Sequence, residues 1–122
     1  MNKIQSKILG MYLLLLGILI FSSLQCNGQV SNDGIQVVQF NAEWNQHNEV
    51  TYLDKLKDCE ISNLDISNGD IQKKYKIAIV PTILIFDDGE EVDRFQADLS
   101  FKMAATREEI QEVINEIIMN KF

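Results

Sequence analysis

The side chains with the clearest potential for chemistry in this sequence are two cysteines, Cys26 and Cys59, and a single histidine, His47. Cys59 lies between Asp58 and Glu60, and neighbouring carboxylates raise the pKa of a thiol and suppress the reactive thiolate. We therefore expect Cys59 to be a small buried apolar residue, with single-cysteine redox chemistry as the alternative. Because no serine or cysteine nucleophile neighbours His47, we expect it to be an ordinary surface residue, with a catalytic or pH-sensing role as the alternative.

The charge of the chain excludes several classes of function. It carries 18 acidic and 11 basic side chains, a formal net charge of −7. Nucleic acids and anionic membrane surfaces are bound by clustered lysines and arginines, so neither is an expected partner. One histidine and scattered acids make no recognisable ligand spacing, so we expect no metal and no cofactor. An acidic domain fits a partner with a basic face.

The N-terminal residues have the layout of a secretory signal. Lys3 and Lys7 precede an apolar run over residues 12–24, which is followed by small and polar residues. This run is shorter than the ~20 apolar residues of a comfortable membrane span. We predict a signal peptide over 1–28, a linker over 29–34 and one domain over 35–122, with an uncleaved N-terminal anchor as the alternative. The domain is then exported, to the periplasm or cell envelope or out of the cell.

Cys26 leaves two processing routes open. Its small neighbours suit a signal peptidase that cuts before Gln29, whereas lipidation would make Cys26 the mature N-terminus and tether the protein to a membrane. The lipoprotein pattern requires a small residue before the cysteine, and Gln25 stands there.

Removing residues 1–28 leaves 9 basic and 18 acidic side chains, a net charge near −9. The cysteines provide no disulfide framework in either case.

The hydrophobic pattern predicts an α/β fold with elements in the order β-α-β-α-β-β-α and a mixed sheet. Asp87, Asp88 and Gly89 indicate a hairpin turn, and Thr106 with Glu109 indicates a helix capping box. Asn48 is expected to cap the first helix. The predicted elements are strand 35–40, helix 48–57, strand 59–66, helix 68–75, strand 80–86, strand 90–103 and helix 106–122.

The second strand of the hairpin is predicted to be long because apolar and polar residues alternate over 95–103. Phe101 and Met103 lie at its far end. One interpretation is a longer strand or a loop that packs on the core. The other is an exposed apolar edge for a partner or for self-pairing.

Two stretches resemble the thioredoxin family. Residues 37–44 (VVQFNAEW) are similar to the strand and the A-E-W run that lead into the thioredoxin active site. Residues 75–82 (YKIAIVPT) resemble the segment that ends in the cis-proline and threonine of the family, and Asp88-Gly89 falls at its hairpin turn. The resemblance covers residues 35–122. It implies a thioredoxin-like three-layer fold and a cis peptide bond before Pro81.

The resemblance also implies that the reaction centre of the family is missing. Thioredoxins need two cysteines, two residues apart, just after the tryptophan, and the first is a thiolate at a helix N-terminus. The matching residues here are Asn45, Gln46, His47 and Asn48, with asparagine at both cysteine positions. The buried aspartate of the family is matched by Gln39, which cannot take up a proton. We therefore expect a redox-inactive protein that is not an enzyme.

Peptide binding does not need the cysteines. In the family, the backbone before the cis-proline pairs with an extended substrate, so Trp44, Val80, Pro81 and Thr82 are the expected contacts with a peptide or protein partner. Trp44 is equally consistent with packing at the edge of the core. The leading hypothesis is an exported, non-catalytic binding module. The alternatives are a thiol–disulfide oxidoreductase that uses Cys59 and a structural envelope subunit.

Overall fold

The computed structural model describes residues 33–122. The predicted signal peptide, Cys26 and all of the predicted linker except Asp33 and Gly34 lie outside these residues. The described chain is fixed at its beginning, because the Gly34 N–H donates to the Asp88 carboxylate at 2.8 Å and the Asp88 N–H donates to the Gly34 carbonyl at 2.9 Å.

The first strand, β1 (Ile35–Asn41), is the centre of the domain and is buried over almost its whole length. Its β-branched and aromatic side chains fill both faces of the sheet, as in a strand that has neighbours on both sides. A buried amide must find partners, and Gln36 donates to the Asp33 carbonyl and to the Glu60 carboxylate at 2.9 and 3.0 Å.

The sheet has four strands in the order β2-β1-β3-β4, where β2 is Glu60–Asp65, β3 is Thr82–Asp87 and β4 is Glu90–Gln96. β1 is parallel to β2 and antiparallel to β3, and β3 is antiparallel to β4. Asp88 and Gly89 both have positive φ angles, 51° and 86°, as the tight turn of a two-residue hairpin requires. The predicted α/β class with a mixed sheet is confirmed.

Helices cover both faces of the sheet and complete three layers. The short helix α1 (Ile71–Lys74) lies on one face and the longer α2 (Arg107–Met119) on the other. The residues buried on the α2 face include Val37, Val50, Leu53, Leu56, Ile83, Ile85, Ile110, Ile114 and Ile117. Those on the α1 face are Val38, Phe40, Ala42, Ile71, Ile77, Val80, Leu84 and Phe86.

The predicted first helix over 48–57 is wrong. This segment instead holds the end of one 3-10 turn, Glu43–Asn48, and a second short turn, Leu53–Lys55. The reason lies at Val50, whose N–H donates to the Gln39 side chain at 2.7 Å and whose carbonyl accepts from it at 3.1 Å. The Val50 carbonyl, which would accept from the Asp54 N–H in a helix, is thus bonded to Gln39 instead, although the Val50 side chain is buried as the pattern predicts.

The predicted strand over 90–103 ends at Gln96. Residues 97–103, called here the 97–103 loop, turn back because the Asp98 carboxylate accepts hydrogen bonds from the Ser100 and Lys102 N–H groups at 2.8 and 3.2 Å. Phe101 adopts a left-handed conformation with φ of 64°. Leu99 at the tip is 93% exposed, so the apolar alternation does not make a strand edge.

The last helix begins where the sequence predicts. The Thr106 side chain accepts from the Glu109 N–H at 3.2 Å and satisfies one of the free donors of the first turn. Ile110, Ile114 and Ile117 carry its buried stripe. Over residues 33–122, no helix is both long and apolar enough to span a membrane.

We expect the Thr106 cap to stabilise the domain measurably. Replacing Thr106 by Ala should lower the free energy of unfolding by about 1 kcal/mol, because one N–H in the first turn of α2 loses its partner. Thr106→Ser keeps the hydroxyl and should lie close to the wild type. Urea denaturation of the three proteins measures the difference, and equal losses in both variants would contradict a capping role.

Candidate functional site

The carboxyl end of β1 leads into a buried amide cluster centred on Asn45, which is 1% exposed. Its side-chain NH₂ donates to Asn41 Oδ1 at 3.1 Å, to the Val80 carbonyl at 3.3 Å and to the Phe101 carbonyl at 3.4 Å. Its side-chain oxygen accepts from Asn48 Nδ2 at 2.9 Å. The amide therefore joins its own turn to the end of β1, to Val80 and to the 97–103 loop.

The four residues matched to the thioredoxin motif, Asn45 to Asn48, are called here the tetrad, and its other three members lie closer to solvent. Gln46 and His47 are exposed and Asn48 is half-buried. His47 Nε2 lies 3.3 Å from Asn48 Nδ2, and no other hydrogen-bonding contact of its ring is found in the described chain. The first and last members of the tetrad, Asn45 and Asn48, thus touch each other, whereas His47 faces outward.

The corner at Val80 is covered. The Val80–Pro81 peptide bond is cis, and Val80, Pro81 and Thr82 are each no more than 2% exposed. The Asn45 side chain donates a hydrogen bond to the Val80 carbonyl, and the Ala97 N–H donates to the Pro81 carbonyl at 3.0 Å. The Val80 carbonyl is therefore already used within the chain, and the residue is buried rather than open to a peptide.

Trp44 is the member of the predicted binding set that is open to solvent, with 61% of its surface exposed. Its ring meets the Phe101 ring edge to face, with 5.1 Å between the ring centroids. Such a pair stabilises both rings while leaving the other face of the indole free for a ligand. Trp44 and Val80 line the same small cavity, but only Trp44 is exposed, whereas Val80, Pro81 and Thr82 are buried.

Gln39 is a structural amide rather than a proton acceptor. It is 1% exposed, and besides its two bonds to Val50 it donates to Asn63 Oδ1 at 3.0 Å. The side chain therefore joins β1 to β2 and to the segment after the tetrad. An amide cannot take up a proton from a neighbouring thiol.

Cys59 lies at the other end of the sheet. It directly precedes β2, whereas the Asn45 cluster follows the carboxyl end of β1, the strand that runs parallel to β2. The thiol is half-buried, and burial together with the nearby Asp58 carboxylate raises its pKa. In the described chain, no three His, Cys, Asp or Glu side chains form a metal-binding group.

An open groove runs along the outer side of Trp44. Its middle part has a volume of about 640 Å³, within the range of ligand pockets. Glu43, Asp65 and Ile66 line this part together with Trp44. The Ser67 N–H and hydroxyl donate to the Asp65 carboxylate and lower its pKa, so this group stays charged.

Three solved thioredoxins have the same fold as this chain. A mutant thioredoxin from Halobacterium salinarum NRC-1 has a TM-score of 0.55 and 22% identity, covering 70% of this chain and 76% of its own. Thioredoxin-2 of the malaria parasite has a TM-score of 0.56 and 18% identity, covering 74% and 89%. Fasciola hepatica thioredoxin has a TM-score of 0.50 and 25% identity, covering 70% and 83%.

The structural comparisons establish a thioredoxin-like fold for this chain, as the resemblance implied. No protein-family model matches the sequence, and no curated protein matches it. At these levels of identity the three solved structures are evidence for the fold alone, so the activity of thioredoxins is not assigned to this chain.

Sequence reasoning missed some of the residues that form the site. Asn41 was not singled out, although an asparagine at the end of a strand is a common partner of a following turn. Phe101 is predicted to lie either on a long strand or packed loop or on an exposed edge. It lies in the 97–103 loop, where its carbonyl accepts from Asn45 and its ring contacts Trp44. Glu43 and Asp65 come from separate segments, and no sequence spacing shows that they share a groove.

Replacing Asn45 by Asp should destabilise the domain by about 3 kcal/mol at pH 7, because a buried carboxylate would face three oxygen acceptors. The pKa of the new carboxyl group is raised in the folded state, so the folded protein binds more protons than the unfolded one. Stability therefore falls as pH rises from the unfolded pKa to the folded pKa, and the loss relative to wild type shrinks in acid. Urea denaturation between pH 4 and 8 measures this.

The control for this experiment is Gln46→Glu, which adds the same charge at an exposed position of the same turn. It should change stability by less than about 0.5 kcal/mol. Similar losses in both variants would contradict the central role of the Asn45 amide.

Cys59 should react slowly with alkylating reagents at neutral pH. Burial and Asp58 raise its pKa, so the thiolate forms only at a higher pH than in free cysteine. The rate of carboxamidomethylation followed by mass spectrometry should rise with pH, with a midpoint above that of free cysteine. Replacing Asp58 by Asn should lower the midpoint, and rapid reaction of wild type at pH 7 would contradict this assignment.

Proposed function

We propose that this chain is an exported, non-catalytic interaction module with a thioredoxin-like fold, which holds a peptide or protein segment on the exposed side of Trp44. The observation that carries the proposal is the state of Asn45. At 1% exposure, with both its NH₂ group and its oxygen hydrogen-bonded, this side chain serves the structure and has no means of exchanging with a disulfide.

The surroundings of the tetrad support a non-catalytic role independently. A reactive thiolate is stabilised at the N-terminus of an α-helix. Here the tetrad lies in a 3-10 turn, and the chain after it, at Glu49 and Val50, does not continue as a helix. The site thus lacks both the nucleophile and the helix dipole that would activate one.

The surface of Trp44 supports binding. A large aromatic residue that is 61% exposed and held in place by a neighbouring ring presents apolar area at little cost in side-chain entropy. Exposed tryptophans are frequent anchors of protein interfaces. Because Val80, Pro81 and Thr82 are covered, we place the contact with the partner at Trp44 and its groove.

The other two hypotheses have less support. A thiol oxidoreductase that uses Cys59 would need a reactive thiol, and this one is half-buried with a raised pKa at the opposite end of the sheet. A structural envelope subunit would be favoured by a continuous apolar stripe on β4 and the 97–103 loop. Val92 and Leu99 are exposed there, but the turn at Asp98 interrupts the strand between them.

Export is the remaining part of the proposal. It rests on the basic residues and the apolar run of residues 1–28, which are typical of a secretory signal. The expected location is the periplasm, the cell envelope or the medium, and a tether through Cys26 is compatible with all the contacts of the described domain.

The purified chain should not catalyse the reduction of insulin disulfides by dithiothreitol. The turbidity of precipitating insulin should develop at the rate of the reductant alone, for wild type and for Cys59→Ser alike. A thioredoxin serves as the positive control. Turnover that disappears in Cys59→Ser would overturn the non-catalytic assignment.

A further inference from the structure

The groove along Trp44 extends beyond its middle part in both directions. One end is lined by Glu43, Glu49 and Asp65. The opposite end is lined by apolar residues of the α1 side and the 97–103 loop, namely Trp44, Ile66, Ile77, Ile79 and Phe101. We call the whole surface the Trp44 groove.

The parts of the Trp44 groove are continuous because they share walls. Ala42, Glu43 and Asp65 line both the acidic end and the middle. Trp44 and Ile66 line both the middle and the apolar end. An extended segment can therefore pass from the carboxylates to the aromatic rings without leaving the surface.

The charges of the Trp44 groove have one sign. Its lining includes three carboxylates and no lysine or arginine. The ion pairs of residues 33–122 involve Glu91, Glu108 and Asp87, so none of them neutralises a carboxylate of the groove. The acidic end thus attracts cations in a domain that is itself strongly acidic.

We propose that the Trp44 groove binds extended protein segments in which lysine or arginine residues adjoin a large apolar side chain. This assignment rests on the proposed interaction role and specifies its partner. The cationic side chains lie over Glu43, Glu49 and Asp65, and the apolar side chain packs against Trp44 and Ile66.

Charge decides against a second copy of this chain as the occupant. Removing Lys3 and Lys7 from the count leaves 9 basic and 18 acidic side chains, so two copies repel each other. The same repulsion excludes acidic peptides. A basic segment gains from the groove and from the field of the whole domain.

The test measures peptide binding to the full chain by fluorescence. Three fluorescein-labelled ten-residue peptides share a phenylalanine and a leucine, and carry three lysines, three glutamines or three glutamates on one side of them. Trp44 is the only tryptophan, so quenching of its emission by unlabelled peptide reports contact in the groove. Anisotropy of the labelled peptides gives the dissociation constants.

We expect the lysine peptide to bind at least about tenfold more tightly than the glutamine peptide, and the glutamate peptide most weakly of the three. Raising the salt concentration from 50 to 300 mM should remove most of this preference, because exposed charges are screened. Quenching of Trp44 should accompany binding of the lysine peptide.

Matched variants locate the effect. Glu43→Gln combined with Asp65→Asn should weaken binding of the lysine peptide about three- to tenfold and leave the glutamine peptide unchanged. Asparagine at position 65 keeps the acceptor for Ser67, so the loop is retained. The control, Glu90→Gln with Glu116→Gln, removes the same charge outside the groove and should change binding less than twofold.

The outcomes separate this inference from the proposed function. Equal affinity for the lysine and glutamine peptides, with Trp44 quenched by both, would overturn the basic preference and leave the interaction role standing. Equal weakening by the groove and control variants would also overturn it. Absence of binding by all three peptides at millimolar concentration would overturn both.

Discussion

The buried side-chain amide of Asn45 is the contact on which this end of the molecule depends. It links Asn41 at the end of β1, the carbonyl of Val80 and the carbonyl of Phe101, and it accepts from Asn48. A polar group at this depth is tolerated only when it is hydrogen-bonded, so each of these segments is held in place by the requirement to satisfy it. The closed Val80 corner is the direct consequence.

The amide group at position 45 accounts for the closure of the Val80 corner. The asparagine side chain has two N–H donors and an acceptor oxygen, whereas a thiol has one weak donor. Asn45 donates to three oxygens, with one N–H shared between two of them, and accepts from Asn48. The Gln39 side chain also joins separate segments, because it bonds both the N–H and the carbonyl of Val50. Asn45 and Gln39 are therefore both structural crosslinks in this domain.

Because the Val80 corner is closed, the surface that is open to a partner lies at Trp44. Phe101 covers the Val80 side and supports the Trp44 ring, whose other face borders an open groove with carboxylates at one end. In the binding role that we propose, apolar area provides affinity and the uniform charge provides selectivity, which is the division of roles found in many peptide-binding surfaces. The proposed role thus needs only the thioredoxin-like scaffold and its exposed surface, with no reaction centre.

The sequence by itself determined the features that depend on local chemistry. β-Branched and aromatic residues specified the buried β1, Asp88-Gly89 specified the hairpin turn, and Thr106 specified the start of α2, because each signal lies in a short stretch of the chain. Only the tertiary structure decided the rest, because Gln39 acts on Val50 across 11 residues and Asn45 reaches Phe101 across 56. These long-range contacts outweigh the helical pattern of residues 48–57 and the alternating pattern of residues 95–103. No spacing in the sequence predicts them.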